Sequence, residues 1–216
     1  MPSQLRADLM DIAMAIPEKS RVLDLGCGDG DLLAYLRDER GCVVRGVEID
    51  EEHVMEAVAQ GVPVMRADLD DGLAMYQDQS FDYVVLSMAL QEVRHPAALM
   101  TEILRVGRHA LVSYPNFAHW RVRWYLMLKG RMPVSKHIPY SWHETPSIHH
   151  TTIPDFAELV GQVGGVVENS LYLASDSTGE SREVHSFPRW RAESVIALMG
   201  RPRCEGSGAE GSGARS

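Results

Sequence analysis

The chain has few of the features that would mark it for the cell exterior or for a membrane. Its three cysteines, Cys27, Cys42 and Cys204, are an odd number at unrelated spacings. They outline neither a disulfide framework nor a zinc knuckle, so a reducing compartment is expected. No apolar run approaches the ~18–20 residues of a membrane span. Charge enters at Arg6 and Asp8, too early for the apolar core of a signal peptide. These absences predict a cytoplasmic protein, neither secreted nor membrane-bound. Positive charge is short as well. The net charge of -9 opposes a whole-surface affinity for nucleic acid. Acid is missing from one place: between Ile103 and His143 there is no Asp or Glu, while Arg105, Arg108, Arg121, Arg123, Lys129, Arg131 and Lys136 all fall there.

What is present reads as one α/β domain over residues 1–199. A length of 216 residues with 45% hydrophobic and 24% charged residues suits a single globular unit. Leu5, Leu9, Ile12, Ala13 and Ile16 recur at helical spacing and stop at Pro17, ahead of a first strand at Arg21 to Leu25. A glycine turn follows, and a helical pattern restarts at Asp31. Val43 to Glu48 predicts a second strand, His53 to Gln60 a helix, and Val62 to Met65 a short third strand. Tyr83 to Leu86 and Ala110 to Ser113 are apolar runs of the kind found in parallel strands covered on both faces, with a helix at Ala97 to Val106 between them. Residues 115–151, rich in proline and aromatics, predict an inserted cap. Thr152-Ile153-Pro154-Asp155 opens the next helix with an N-cap, an early proline and a first-turn carboxylate. Val166 to Leu173 and Ala192 to Met199 predict two last strands, paired as an antiparallel hairpin on the sheet edge. From Gly200 onward Gly, Ser, Ala and Arg dominate, and residues 200–216 are expected to be a disordered tail. Strands alternating with helices imply a parallel sheet with ligands beyond its carboxyl ends.

The turn Asp24-Leu25-Gly26-Cys27-Gly28-Asp29-Gly30 lets a ligand approach bare backbone, a property shared by many nucleotide sites. Its G-x-G-x-G spacing is one residue shorter than the dinucleotide fingerprint, and Asp24, Asp29 and Asp31 surround it. A pyrophosphate would be repelled by these carboxylates. A ligand carrying an ammonium and a sulfonium but no phosphate would be favoured, and S-adenosylmethionine (SAM) is such a ligand. Glu48, about 20 residues past the loop at the end of strand two, stands where a carboxylate can accept both ribose hydroxyls, with Ile49 beside it. Asp68, with Leu69, follows strand three and could accept from an adenine amine. Ser87, at the exit of the Phe81 to Leu86 strand, would border the cofactor. The cofactor set is therefore Asp24, Gly26, Cys27, Gly28, Glu48, Ile49, Asp68, Leu69 and Ser87. The Cys27 side chain reads as a small packed group, since neighbouring carboxylates raise a thiol pKa.

Taken in order, these marks resemble the class I SAM-dependent methyltransferases over at least Arg21 to Leu90. The resemblance implies a Rossmann-like fold whose seven-stranded, mostly parallel sheet ends in an antiparallel strand. Further stretches are more specific: Phe81 to Gln91, Arg105-Val106-Gly107-Arg108, Ser113-Tyr114-Pro115-Asn116-Phe117, Gly130 to Lys136 and Thr145-Pro146-Ser147-Ile148-His149. Together they are similar to the methionine biosynthesis protein MetW family from about Leu5 to Met199. That resemblance implies a SAM-binding partner that supports homoserine O-acyltransferase, with feedback sensing of SAM, the pathway's end product. A working methyltransferase on a small anionic metabolite is the rival.

Methyl transfer needs chiefly alignment, so the sequence names no catalytic residue. Gln91 follows strand four and cannot act as a base; Glu92 beside it is the ordinary kind of solvated helix residue. His119, His137, His143, His149 and His150 lie in or beside the cap, but their spacing does not form a metal-binding pattern and no metal is expected. His143 or His149 could accept a proton above a methyl group, or be a structural histidine. The basic, aromatic segment 119–136 admits several roles: a docking surface for an acidic protein, a lid over an anionic substrate, contact with nucleic acid or an anionic membrane, or an inert solvated face.

Overall fold

The computed structural model describes residues 5–134, 141–175 and 181–202. Lys136, His137, Cys204 and the expected tail from residue 203 lie outside the described residues. In chain order the elements are α1 (Ala7–Ala15), β1 (Arg21–Leu25), α2 (Asp31–Arg40), β2 (Val43–Glu48), α3 (Glu51–Ala59), β3 (Val64–Arg66), β4 (Phe81–Ser87), α4 (Pro96–Val106), β5 (Gly107–Pro115), α5 (Trp120–Lys129), α6 (Ile153–Gln162), β6 (Val166–Ser175), β7 (Ser181–Glu183), α7 (Pro188–Arg191) and β8 (Ser194–Gly200). The strands form one sheet in the order β3-β2-β1-β4-β5-β8-β6-β7. β1 to β5 pair in parallel, and β8 runs antiparallel to both β5 and β6.

The two-residue period of a strand decides which helix each side chain meets. Leu23, Leu25, Val84 and Leu86 point to the face covered by Leu99, Met100 and Ile103 of α4 and by Phe156 and Val160 of α6. Val22, Val44, Val85 and Leu111 point to the other, against Ile12 of α1 and Leu32, Leu33 and Leu36 of α2. Burial on both faces is why the central strands read as continuous apolar runs. Thr152 caps α6 as the sequence predicts, its side chain accepting from the Asp155 amide.

Two expectations about the sheet change. It has eight strands rather than seven, because Ser181–Glu183 adds β7 antiparallel to β6. All three of its residues are exposed, so no apolar alternation marks them. The last two long strands do pair antiparallel, but they do not form an edge hairpin: β8 lies between β5 and β6, and β7 and α7 intervene along the chain.

The acid-free stretch also divides. Arg105 faces inward, its guanidinium donating to Glu102, to Asp78 and to the carbonyls of Leu73 and Tyr76. It ties the loop before β4 to α4. Arg108 leans toward Asp82 at 3.8 Å. The exposed cations of the stretch are Arg121, which lies 4.0 Å from Glu193, Arg123, whose Nε donates to the Ala118 carbonyl, Lys129 and Arg131.

Candidate functional site

Strand order reverses between β1 and β4, and the crevice at their carboxyl ends is where an open α/β sheet takes its ligand. A cleft of about 560 Å³ lies there, walled by Gly26 and Gly28 of the glycine turn, Glu48 to Asp50 and His53 after β2, Ala67 to Asp70 after β3, and Ser87 to Ala89 with Glu92 to Arg94 after β4. That volume is within the roughly 300–1,000 Å³ of small-molecule sites.

The turn is shaped by backbone that side chains would strain. Gly26, Gly28 and Gly30 have φ of +70°, +55° and +85°. The Gly26 and Cys27 amides both donate to the Val47 carbonyl, which clamps the turn onto β2. Glu48 completes the clamp: one carboxylate oxygen accepts from the Gly28 amide at 2.9 Å, the other from the Ile49 and Asp50 amides at 2.8 and 3.0 Å. Gly46 permits the close approach, since a Cβ there would lie 2.5 Å from Cys27 Sγ, 3.0 Å from Val64 and 3.1 Å from Leu33. Gly46→Val is therefore expected to cost about 2–3 kcal/mol of stability in urea denaturation, by overpacking the seat of the loop.

Seven of the nine expected cofactor residues wall the cleft: Gly26, Gly28, Glu48, Ile49, Asp68, Leu69 and Ser87. Asp24 and Cys27 are buried in the glycine turn and do not line the cleft. Asp24 is buried, its Oδ1 has no hydrogen-bond partner, and burial together with the charge of Glu48 pushes its pKa up to about 8. Burial, Asp24 and Glu48 push the Cys27 thiol well above its ordinary value, as fits a packed, unreactive group.

Sequence reasoning did not single out Asp50, Asp70, Met88 or Arg94. Asp50 caps α3 by accepting from Glu52 and His53, which lowers its pKa. Asp70 accepts from the amides of Arg94 and His95, closing the far wall. Met88 adopts φ +53°, an uncommon conformation for a residue with a side chain, and its amide donates to the hydroxyl and the carbonyl of Ser113. No local pattern signals that strain. Glu92 is exposed at the cleft wall, and partial burial with the charge of Glu48 raises its pKa. The Gln91 carbonyl accepts from the Ile148 and His149 amides and so joins the cap to the turn after β4. Neither His143 nor His149 is among the cleft walls. Among the described residues no three His, Cys, Asp or Glu are grouped to hold a metal ion. Nor is any helix among them long and apolar enough to cross a membrane.

Five carboxylates, Glu48, Asp50, Asp68, Asp70 and Glu92, face this cleft against Arg94 and His53. Such a field favours a cationic ligand and opposes a phosphate.

Comparison with solved structures places the fold among the Rossmann-like methyltransferases. One is a SAM-dependent methyltransferase of Thermotoga maritima, described as a possible histamine N-methyltransferase, at TM-score 0.66 and 18% identity over 90% of this chain and 87% of that one. The profile of the family described as methionine biosynthesis protein MetW matches residues 6–199, and the chain belongs to that family. A relative is the bifunctional methionine biosynthesis protein MetXA/MetW of Rhodopirellula baltica, 35% identical over 91% of this chain. The chain spans only 33% of that relative's length. The demethylmenaquinone methyltransferase of Bacillus cereus (strain B4264) is 26% identical over 70% of this chain and 72% of its own.

Proposed function

We propose that the protein binds SAM in the cleft between the glycine turn and the β4 exit, and that it acts in cytoplasmic methionine biosynthesis as the partner of a homoserine O-acyltransferase. The observation that carries the partnership is the relative named MetXA/MetW, in which a MetW-like stretch covering a third of the chain is joined covalently to the rest. Fusion raises the effective concentration of two units that work together. The carboxylate-lined cleft supports SAM as the ligand: Glu48 and Asp68 would take the ribose and adenine, and Asp24 and the glycine turn the methionine end. Gly26, Cys27 and Gly28 would offer backbone there, and Ile49, Leu69 and Ser87 would flank the nucleoside. SAM would supply a cationic methyl-bearing sulfonium; in a partner it serves as the sensed end product. The test is acyltransferase activity measured alone, with this protein, and with this protein plus SAM. A change on adding the protein, modulated by SAM, is expected; activity unaltered in all three would overturn the reading.

Glu92 favours a second reading. A carboxylate of raised pKa at the cleft wall is the kind of group that could take a proton from a methyl acceptor. In a working methyltransferase, protein incubated with cell extract and SAM should release S-adenosylhomocysteine above background, and Glu92→Gln should suppress it. No release removes this reading and leaves the first.

A further inference from the structure

We propose that the outward faces of α5 and α7 together form a docking surface for a protein that presents an apolar centre rimmed by carboxylates. The proposal rests on the partnership above and assigns its surface. Val122 is the one buried residue of α5. At 100° per residue, Trp120, Trp124 and Met127 form a ridge on the side opposite Val122, with Arg121 and Leu128 along one flank and Arg123 along the other. Met127 is 65% and Leu128 71% exposed, so the second half of the helix projects its largest apolar side chains into water. A helix apolar on this face gains nothing from the domain beneath it.

The surface continues onto α7, a segment about 60 residues away in sequence. The Arg123 guanidinium lies 4.4 Å from the Trp190 ring centroid, and Phe187 at the start of α7 is 77% exposed. One buried amide holds the two helices in register. Asn116 donates to the carbonyls of Ala192 and Arg189, and its own oxygen accepts from the Ala118 amide, two residues before α5. The patch is preformed, which reduces the ordering cost of association. Aromatic and arginine side chains side by side are the usual anchors of protein interfaces.

Charge selects the occupant. Arg121, Arg123, Lys129 and Arg131 are all exposed in a stretch that has no acid from Ile103 to His143, and the largely buried Glu193, 4.0 Å from Arg121, offsets only part of that charge. Carboxylates on the partner's rim would complement them and speed encounter. A second copy of this chain would oppose the same basic face to itself across a two-fold axis. An anionic membrane would attract the face, but the net charge of -9 repels it.

The test titrates the full chain into purified homoserine O-acyltransferase, comparing the unaltered protein with Trp124→Ala/Leu128→Ser, with Arg121→Glu, and with Met14→Ser on α1 as an exposed control. Both docking-face variants should bind about 30-fold or more weakly, with SAM binding unchanged, and the control should match the unaltered protein. If circular dichroism shows the double variant unfolded, Leu128→Ser alone carries the comparison. Docking variants that bind as tightly as the unaltered protein overturn the surface and leave the partnership. An unaltered protein that does not bind the acyltransferase removes the partnership and this occupant together. Self-association, or capture by phosphatidylglycerol vesicles, that these same substitutions abolish would overturn the proposal in favour of a second copy or a lipid surface.

Discussion

Asp24→Asn is expected to stabilise the ligand-free protein at pH 8 and to weaken its hold on SAM. In the native state burial and Glu48 raise the Asp24 pKa to about 8, whereas the unfolded chain titrates near the ordinary 3.8. Between those values the folded protein holds a proton that the unfolded chain has released. Its stability is full below about pH 4 and is lost as pH rises through 8. Asparagine carries no such proton, so the variant's stability relative to the unaltered protein should rise between pH 4 and pH 8, by at most about 1.4 kcal/mol per pH unit, and the two should converge toward pH 4, as read by urea denaturation. Binding moves the other way. A cation above the buried Oδ1 favours the ionised carboxylate, so SAM binding should release a proton and strengthen by up to tenfold per pH unit toward pH 8. Calorimetry in two buffers of different ionisation enthalpy measures that proton. The same pH profile in both proteins would remove Asp24 from the site.

Glu48→Ala should lower SAM affinity by two orders of magnitude or more and reduce stability by about 2–4 kcal/mol, because three backbone amides lose their shared acceptor. The Gly28 amide is one of them, so the turn itself loosens. Oε1 already accepts twice, from Ile49 and Asp50, but Oε2 accepts only from Gly28, so one lone pair there is left for a ribose hydroxyl while the clamp stays closed. Glu48→Gln separates the two roles: glutamine keeps one acceptor oxygen, so stability should recover more than affinity does. Affinity retained by Glu48→Ala would overturn the assignment of this cleft to SAM.

Much of this was legible in the sequence, where local chemistry and tertiary structure agree. β1 and β2 have the bounds that their apolar runs predict, because strands buried on both faces carry an uninterrupted signal. Glu48 and Asp68 reach the cleft from strand ends, and strand ends are visible as the point where apolar runs stop. β7 was invisible because exposed residues have no pattern to read. The positive φ of Met88 was invisible because its amide is held by Ser113, a residue 25 positions away, and not by a local pattern. Asp24 shows the same division: its place beside the glycines is sequence, but its orphaned oxygen and raised pKa come from the packing around it.

By itself the sequence determined the α/β alternation, the short glycine turn, the carboxylates that reject a phosphate, and the basic, aromatic stretch that no acid interrupts. These are properties of neighbours along the chain, set by period and spacing. Tertiary structure decided which charges remain available. It turned Arg105 inward onto Glu102 and Asp78, inserted β8 between β5 and β6, and brought Trp190 under Arg123. Those outcomes depend on contacts between distant segments, where burial and hydrogen-bond geometry outweigh local preference.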